Sequence, residues 1–214
     1  MVKPDQIDKT PSHEQVYRAL RARIMQGQME PGVALTLRGI AADFDVSMTP
    51  AREAVRRLSA EGALQISNSG RVTTPEPNNE RLEELAALRA LLEPELASRA
   101  LPRAHNVLID RMESINDQID QIILKKDAAA YVRLNQDFHR SLYLRAQAPA
   151  MLAMVETVWL QSGPTMRRLY GQKQQQLASI NHRKILAALR AGDEPGLRLA
   201  MREDVINGLR LLGS

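Results

Sequence analysis

The chain has 214 residues, 44% of them hydrophobic and 25% charged, which is apolar material enough for one or two folded cores and excludes disorder as the default state. With no cysteine, it excludes disulfides, thiolate metal sites and cysteine nucleophiles together. Its 29 basic and 25 acidic side chains leave only a mild excess of +4, so total charge points weakly toward nucleic acid and the placement of the charges has to decide.

The opening stretch MVKPDQIDKTPSHEQ lacks the apolar segment of a secretory signal, and no apolar run approaches the roughly 18 residues of a membrane span; a cytoplasmic protein without membrane contact is expected. From Ser12, an N-cap candidate, SHEQVYRALRARIMQG sets Val16, Leu20 and Ile24 at fourfold spacing and predicts an amphipathic helix ending near Gly27. A turn at Pro31-Gly32 leads through a short extended entry to a second helix over Arg38 to Phe44. After the brief polar interval DVSMT a third helix begins, with Ser47 or Thr49 able to cap it and Pro50 in its first turn, and it stops at Glu61-Gly62. ALQISNSGRVTT then reads as two short strands about Asn68-Ser69-Gly70.

TTPEPNNE crowds prolines and asparagines together, and no strand signal follows it; this places a boundary at residues 75 to 79, giving an amino-terminal unit 1–75 and an all-helical unit 76–214. The second unit divides into about six helices, with a kink or break expected at Pro94 and an interruption at Gly163-Pro164. Residues 1 to 75 hold 10 basic and 8 acidic side chains, so the positive excess is not concentrated there. The fold class is mainly α, and the scarcity of Phe, Trp and Tyr removes the stacking platforms an RNA binder needs.

The order helix, helix, helix, hairpin describes a winged helix-turn-helix. A helix fits the major groove, and Thr49, Arg52 and Arg56, three and four residues apart, share one face of the third helix. A solvated face with Arg52 and Arg56 paired to Glu53 or Glu61 is the competing reading. Among the helices further along, Asn135 and His139 lie one turn apart, while His182 and Asp204 sit on later helices; imidazole and carboxylate converging from separate helices suit a borderline metal, although spacing alone does not establish convergence. A metal-dependent hydrolase on His139, His182 and Asp204 is a rival, but no general base partner is evident. Elsewhere His13 and His105 fit no motif and are expected to be solvated.

Residues 12 to 75 resemble the GntR family of bacterial transcription regulators. The shared pattern is Pro31-Gly32, Leu37-x2-Ile40-Ala41, the run Val46-Ser47-Met48-Thr49-Pro50-Ala51-Arg52-Glu53-Ala54-Val55, and Glu61-Gly62. The resemblance implies that Arg38, Thr49, Arg52 and the wing tip Ser69-Gly70 stand where family members touch DNA, with Ser47 as a cap and Glu53 packed or paired. Met48 departs from it: most members carry Arg there to read a guanine, and a thioether cannot give the two hydrogen bonds that guanine O6 and N7 accept. Loss of a guanine preference, or contact with a thymine methyl, is expected instead.

The helical part resembles the FCD ligand-binding domain of FadR-type members, in its smaller VanR-like form. Arg89-Ala90-Leu91-Leu92-Glu93, Asn135-x3-His139 and His182 carry the likeness, and Asp204 stands where the family has a third histidine. The resemblance implies a divalent metal (Zn, Ni or Mn) on Asn135, His139, His182 and Asp204, and a small carboxylate effector met by the metal with Asn135, His139 and Arg89, unless Arg89 simply pairs with Glu93. It implies a homodimeric repressor of double-stranded operator DNA. Its alternative is sensing of an acyl or other hydrophobic ligand without metal.

Overall fold

The computed structural model describes residues 12–125, 127–167 and 175–210. Residues 1–11 and 211–214 lie outside the described residues.

Helix α1 (Ser12–Met25) buries Val16, Tyr17, Leu20 and Ile24, one stripe at helical spacing. This stripe packs on the Ala51, Ala54, Val55 and Leu58 stripe of α3 (Met48–Ala60), with α2 (Leu37–Asp43) adding Ile40 and Ala41 to the same cluster. Thr36 caps α2 by accepting the Gly39 amide, a cap the sequence reading does not single out. Three two-residue strands, β1 (Ala34–Leu35), β2 (Gln65–Ile66) and β3 (Val72–Thr73), form an antiparallel sheet in the order β1-β3-β2, so the extended entry before α2 joins the hairpin. Buried Thr74 ties this sheet to the turn after α1, its hydroxyl donating to the Glu30 carbonyl at 2.6 Å and accepting the Val33 amide at 2.9 Å.

Six helices follow: α4 (Asn79–Ala100), α5 (Asn106–Lys125), α6 (Ala128–Tyr143), α7 (Pro149–Met166), α8 (Gln175–Ala191) and α9 (Glu194–Arg210). Asn78 and Asp127 cap α4 and α6 by accepting amides three residues on. Two expected breaks are corrected here. Helix α4 runs unbroken through Pro94, and α7 through Gly163-Pro164. Each ring removes one helical hydrogen bond, but both prolines are buried, and packing from neighbouring helices offsets the loss.

The interior forms two apolar clusters. One lies among α1, α2, α3 and the sheet, and the other joins α4 to α9 around Phe138, Leu142, Tyr143 and Trp159. Leu160 of α7 belongs to the first cluster and Val155 and Trp159 to the second, so α7 contributes side chains to both. Among the described residues, no helix is long and apolar enough to cross a membrane.

Candidate nucleic-acid interface and metal centre

The buried stripe of α3 turns its other face outward: Met48, Thr49, Arg52, Glu53 and Arg56 are exposed. Ser47 occupies the N-cap position but makes no side-chain cap bond, so the expected capping role is corrected, and it leaves the Met48 and Thr49 amides of the first turn uncapped. Among the described residues Arg38 and Arg52 make no ion pair, whereas Arg56 meets Glu53 at 3.4 Å. Arg57 belongs to the structure rather than to this face. Its guanidinium sits 3.6 Å over the Tyr17 ring and 2.8 Å from Glu14, bracing α3 on α1.

At the hairpin tip Ser69 and Gly70 are exposed, and Gly70 adopts φ 79, a left-handed conformation that glycine takes without strain. Arg71 beside it is exposed and without an ion pair among the described residues. Sequence reasoning passed it over, although a lone cation at a wing tip was the available signal.

The second site is buried. Helix α6 delivers Asn135 and His139, α8 delivers His182 and α9 delivers Asp204, and one ligand atom from each of the two histidines and the aspartate falls within 4.8 Å of the others. His139 Nε2 is 3.1 Å from Asp204 Oδ2, His182 Nε2 is 4.0 Å from Asp204 Oδ1, and Asn135 Nδ2 is 3.3 Å from His182 Nε2. Phe138 stacks on the His182 ring at 3.8 Å between centroids and fixes its plane. His13 and His105, by contrast, are exposed.

Groups behind the imidazoles set their tautomers. Asn116 Oδ1 lies 3.0 Å from His182 Nδ1 and accepts its proton, while its own amide donates to Ser179 at 3.3 Å. Tyr143 gives its single hydroxyl proton to Glu93 at 2.7 Å, so at 3.3 Å from His139 Nδ1 its oxygen is left to accept. The Nε2 atoms of both rings lie on the Asp204 side, and that of His182 also lies 3.3 Å from the Asn135 amide. Burial pushes His182 down to about 3, which keeps it neutral. Burial also pushes Asp204 up, but contact with His139 and the potential of both imidazoles and Arg89 hold its carboxyl below the ordinary value, so it is ionised. Despite its 3.1 Å approach to the carboxylate, His139 Nε2 makes no aligned hydrogen bond and is a buried atom without a partner. His139 Nε2, His182 Nε2 and the Asp204 carboxylate together make a donor set that fits a divalent ion.

Arg89 forms a buried pair with Glu93 through Nε and, at 3.3 Å, through Nη2. Glu93 also accepts the Trp159 indole at 3.0 Å, and although burial pushes its carboxyl up, Arg89 holds it below the ordinary range. The expected i,i+4 pairing of Arg89 with Glu93 is thus present. Arg89 still lines a cavity of about 10 Å³, beside Tyr131, Asn135, Gln136, Trp159 and Ser162, with room for about one water.

The chain matches the family described as "Bacterial regulatory proteins, gntR family" over residues 12–73 and the FCD domain over residues 84–207. It is 26% identical over 201 residues to the HTH-type transcriptional regulator McbR of Escherichia coli K12, covering 92% of this chain and 91% of that one. It is 27% identical over 160 residues to the gluconate operon transcriptional repressor of Bacillus subtilis, covering 75% of this chain and 64% of the repressor. The solved structure of E. coli McbR/YncC superposes with a TM-score of 0.86 at 26% identity, over 95% of this chain and 97% of that one.

Proposed function

Because the chain belongs to the GntR family of bacterial regulatory proteins and carries an FCD domain, we propose that it is a DNA-binding transcriptional repressor controlled by a small carboxylate metabolite. In this reading residues 1–75 are the reader and residues 76–214 the sensor and dimerisation unit. The observation that carries it is the outward face of α3, where a helix start with unused amides presents Arg52 without an intramolecular anion among the described residues. The relatives named above as regulators and as a repressor support the direction, and they count against the hydrolase reading.

A homodimer sets two such helices in successive major grooves of a near-palindromic operator. Thr49, Arg52 and Arg56 lie toward the groove, Arg38 and the first-turn amides of α3, with Ser47, toward phosphate, and Ser69-Gly70 with Arg71 toward the flanking backbone. Met48 reads no guanine and offers only apolar contact, suited to a thymine methyl.

In the sensor, His139, His182 and Asp204 hold a divalent ion (zinc, nickel or manganese), with Asn135 as a fourth ligand when its amide oxygen turns inward. When bound, the ion supplies a positive centre for an anionic oxygen of the effector. Arg89 contributes hydrogen-bonding edge but little net charge, because Glu93 neutralises it. The small cavity beside it, with polar groups on its walls, does not favour an acyl chain.

The test selects duplexes from a random pool with the full chain and compares variants in a mobility-shift assay. Arg52→Ala is expected to weaken binding about 5- to 150-fold, the equivalent of one bidentate base contact, with the helical circular dichroism unchanged. Unaltered affinity would overturn the placement of α3 in the groove.

A further inference from the structure

The cavity beside the metal centre shares its walls with the end of α1. Gln136, which lines the cavity next to Asn135, donates its side-chain amide to the Met25 carbonyl at 2.6 Å. That carbonyl belongs to the last turn of α1, where no helical amide remains to meet it. Val132, also a lining residue, lies beneath Gly27: a β-carbon there would come within 3.3 Å of Val132 and 3.1 Å of the Gly163 carbonyl. On α7, one residue beyond lining Ser162, a β-carbon at Gly163 would sit 2.6 Å from the Met25 carbonyl oxygen and closer still to that of Ile24. Arg167 closes the contact by donating to the Gly27 carbonyl at 3.2 Å.

The recognition helix is held from the same side. Gln161 of α7 donates to the Glu61 carbonyl, at the C-cap of α3, at 3.0 Å and accepts from Arg81 of α4 at 2.7 Å. Helices α6 and α7 thus form the cavity wall on one side and clamp the ends of α1 and α3 on the other.

Resting on the reading of the helical part as the sensor of a DNA-binding regulator, we infer that Gln136 is a positioning residue that passes the state of the cavity directly to the reading head through Met25. The size of the cavity makes this necessary. A space of about 10 Å³ admits about one water, so a metabolite enters only by displacing the wall, and the wall rests on α1. Close packing leaves no compressible layer between them. By linkage the coupling runs both ways: a ligand that changes duplex affinity through this wall requires that duplex binding be felt at the cavity.

Trp159 is the only tryptophan of the chain and lines the cavity, so the reverse direction can be read without knowing the effector. A duplex selected by the full-length protein is titrated against wild type, Gln136→Glu, which keeps length but turns a carboxylate toward the carbonyl, and Gln136→Met, which removes the hydrogen bond without adding charge. Trp159 emission is expected to change on duplex binding in wild type, and the change to be lost in whichever variants retain their circular dichroism and duplex affinity. Duplex binding that leaves wild-type emission unchanged overturns the inference while the DNA-binding reading stands, as does an undiminished emission change in both variants. A chain that selects no duplex sinks both. No metal is needed in the assay, so failure of the metal reading would show separately, by elemental analysis.

Discussion

The reading head and the sensor core treat their charges in opposite ways. On α3 the cations that face outward are exposed, and Arg52 has no intramolecular anion among the described residues. Around the cluster of His139, His182 and Asp204 the charges are buried and committed: Arg89 to Glu93, Glu93 also to Tyr143 and Trp159, and Asp204 toward two imidazoles. A surface that must exchange water for phosphate keeps its cations available, since their counterions are released on binding. The buried carboxylates there sit in a network of partners that offsets part of their desolvation. The same residue type, arginine, is therefore an exposed, uncommitted group in one region and a structural counterion in the other.

The sharpest way to break this contrast is to remove one member of the buried pair. Glu93→Gln keeps the shape but leaves the Arg89 charge without its partner, and removing one side of a buried ion pair costs about 3–5 kcal/mol. Equilibrium urea unfolding is the measurement. The pH dependence follows from the depressed carboxyl of Glu93: a group held below its unfolded value contributes stability above the unfolded pKa of about 4.3, and that contribution is lost as pH falls through the folded value. The gap between wild type and Glu93→Gln should thus be widest near neutrality and close progressively below about pH 4. A constant gap across that range would mean that Glu93 acts through packing rather than charge.

How far the sequence discloses each region follows from the same contrast. The head rests on a local pattern: the Val46 to Val55 run fixes where α3 begins, which face is apolar and which residues are left outside, because a helix of known start has only one buried stripe. The sensor depends on what meets across helices. Residue type together with the family likeness singles out Asn135, His139, His182 and Asp204, and the fold brings them within reach of one another. The groups behind them carry no such mark. Asn116 and Ser179 are ordinary polar residues of amphipathic helices until α5 and α8 pack and turn them toward His182. Arg89 is ambiguous for the same reason, since an i,i+4 spacing permits a pair on any helix and only burial makes it obligatory. Pro94 and Pro164 mislead in the other direction: a proline signals a break in an isolated helix, and here neighbouring helices hold both helices continuous through the ring.

A smaller effect sharpens the comparison inside the sensor. Asn116→Leu removes the acceptor that fixes the His182 tautomer without touching any of the three candidate ligands. Loss of such an orienting group lowers metal affinity about 10- to 100-fold. Titration of metal-free protein with zinc or nickel, followed by calorimetry, measures it, and the selected duplex should still bind. Equal affinity in wild type and Asn116→Leu would show that the imidazole is held by Phe138 stacking alone. Weak binding by both proteins, at millimolar metal, would remove the ion from the sensor altogether.

The smallest expected effect lies on the head, and it tests whether charge at the surface is functional rather than structural. Glu53 is half exposed and touches Arg56 at 3.4 Å, a pair of the kind that contributes little to stability. Glu53→Gln should shift the urea midpoint by no more than ~0.5 kcal/mol in unfolding free energy, a fraction of the loss expected from Glu93→Gln. Yet it removes a negative charge from the face proposed to meet phosphate and frees Arg56 to turn toward it. Affinity for the selected duplex should rise a few-fold at low salt, and the gain should shrink as salt is raised, because screening acts on exposed charges first. A variant with unaltered stability and stronger, more salt-sensitive duplex binding is what an uncommitted surface predicts. A marked loss of stability with no change in binding would place Glu53 and Arg56 with Arg57 among the groups that hold α3 in place, and would narrow the reading face to Thr49 and Arg52.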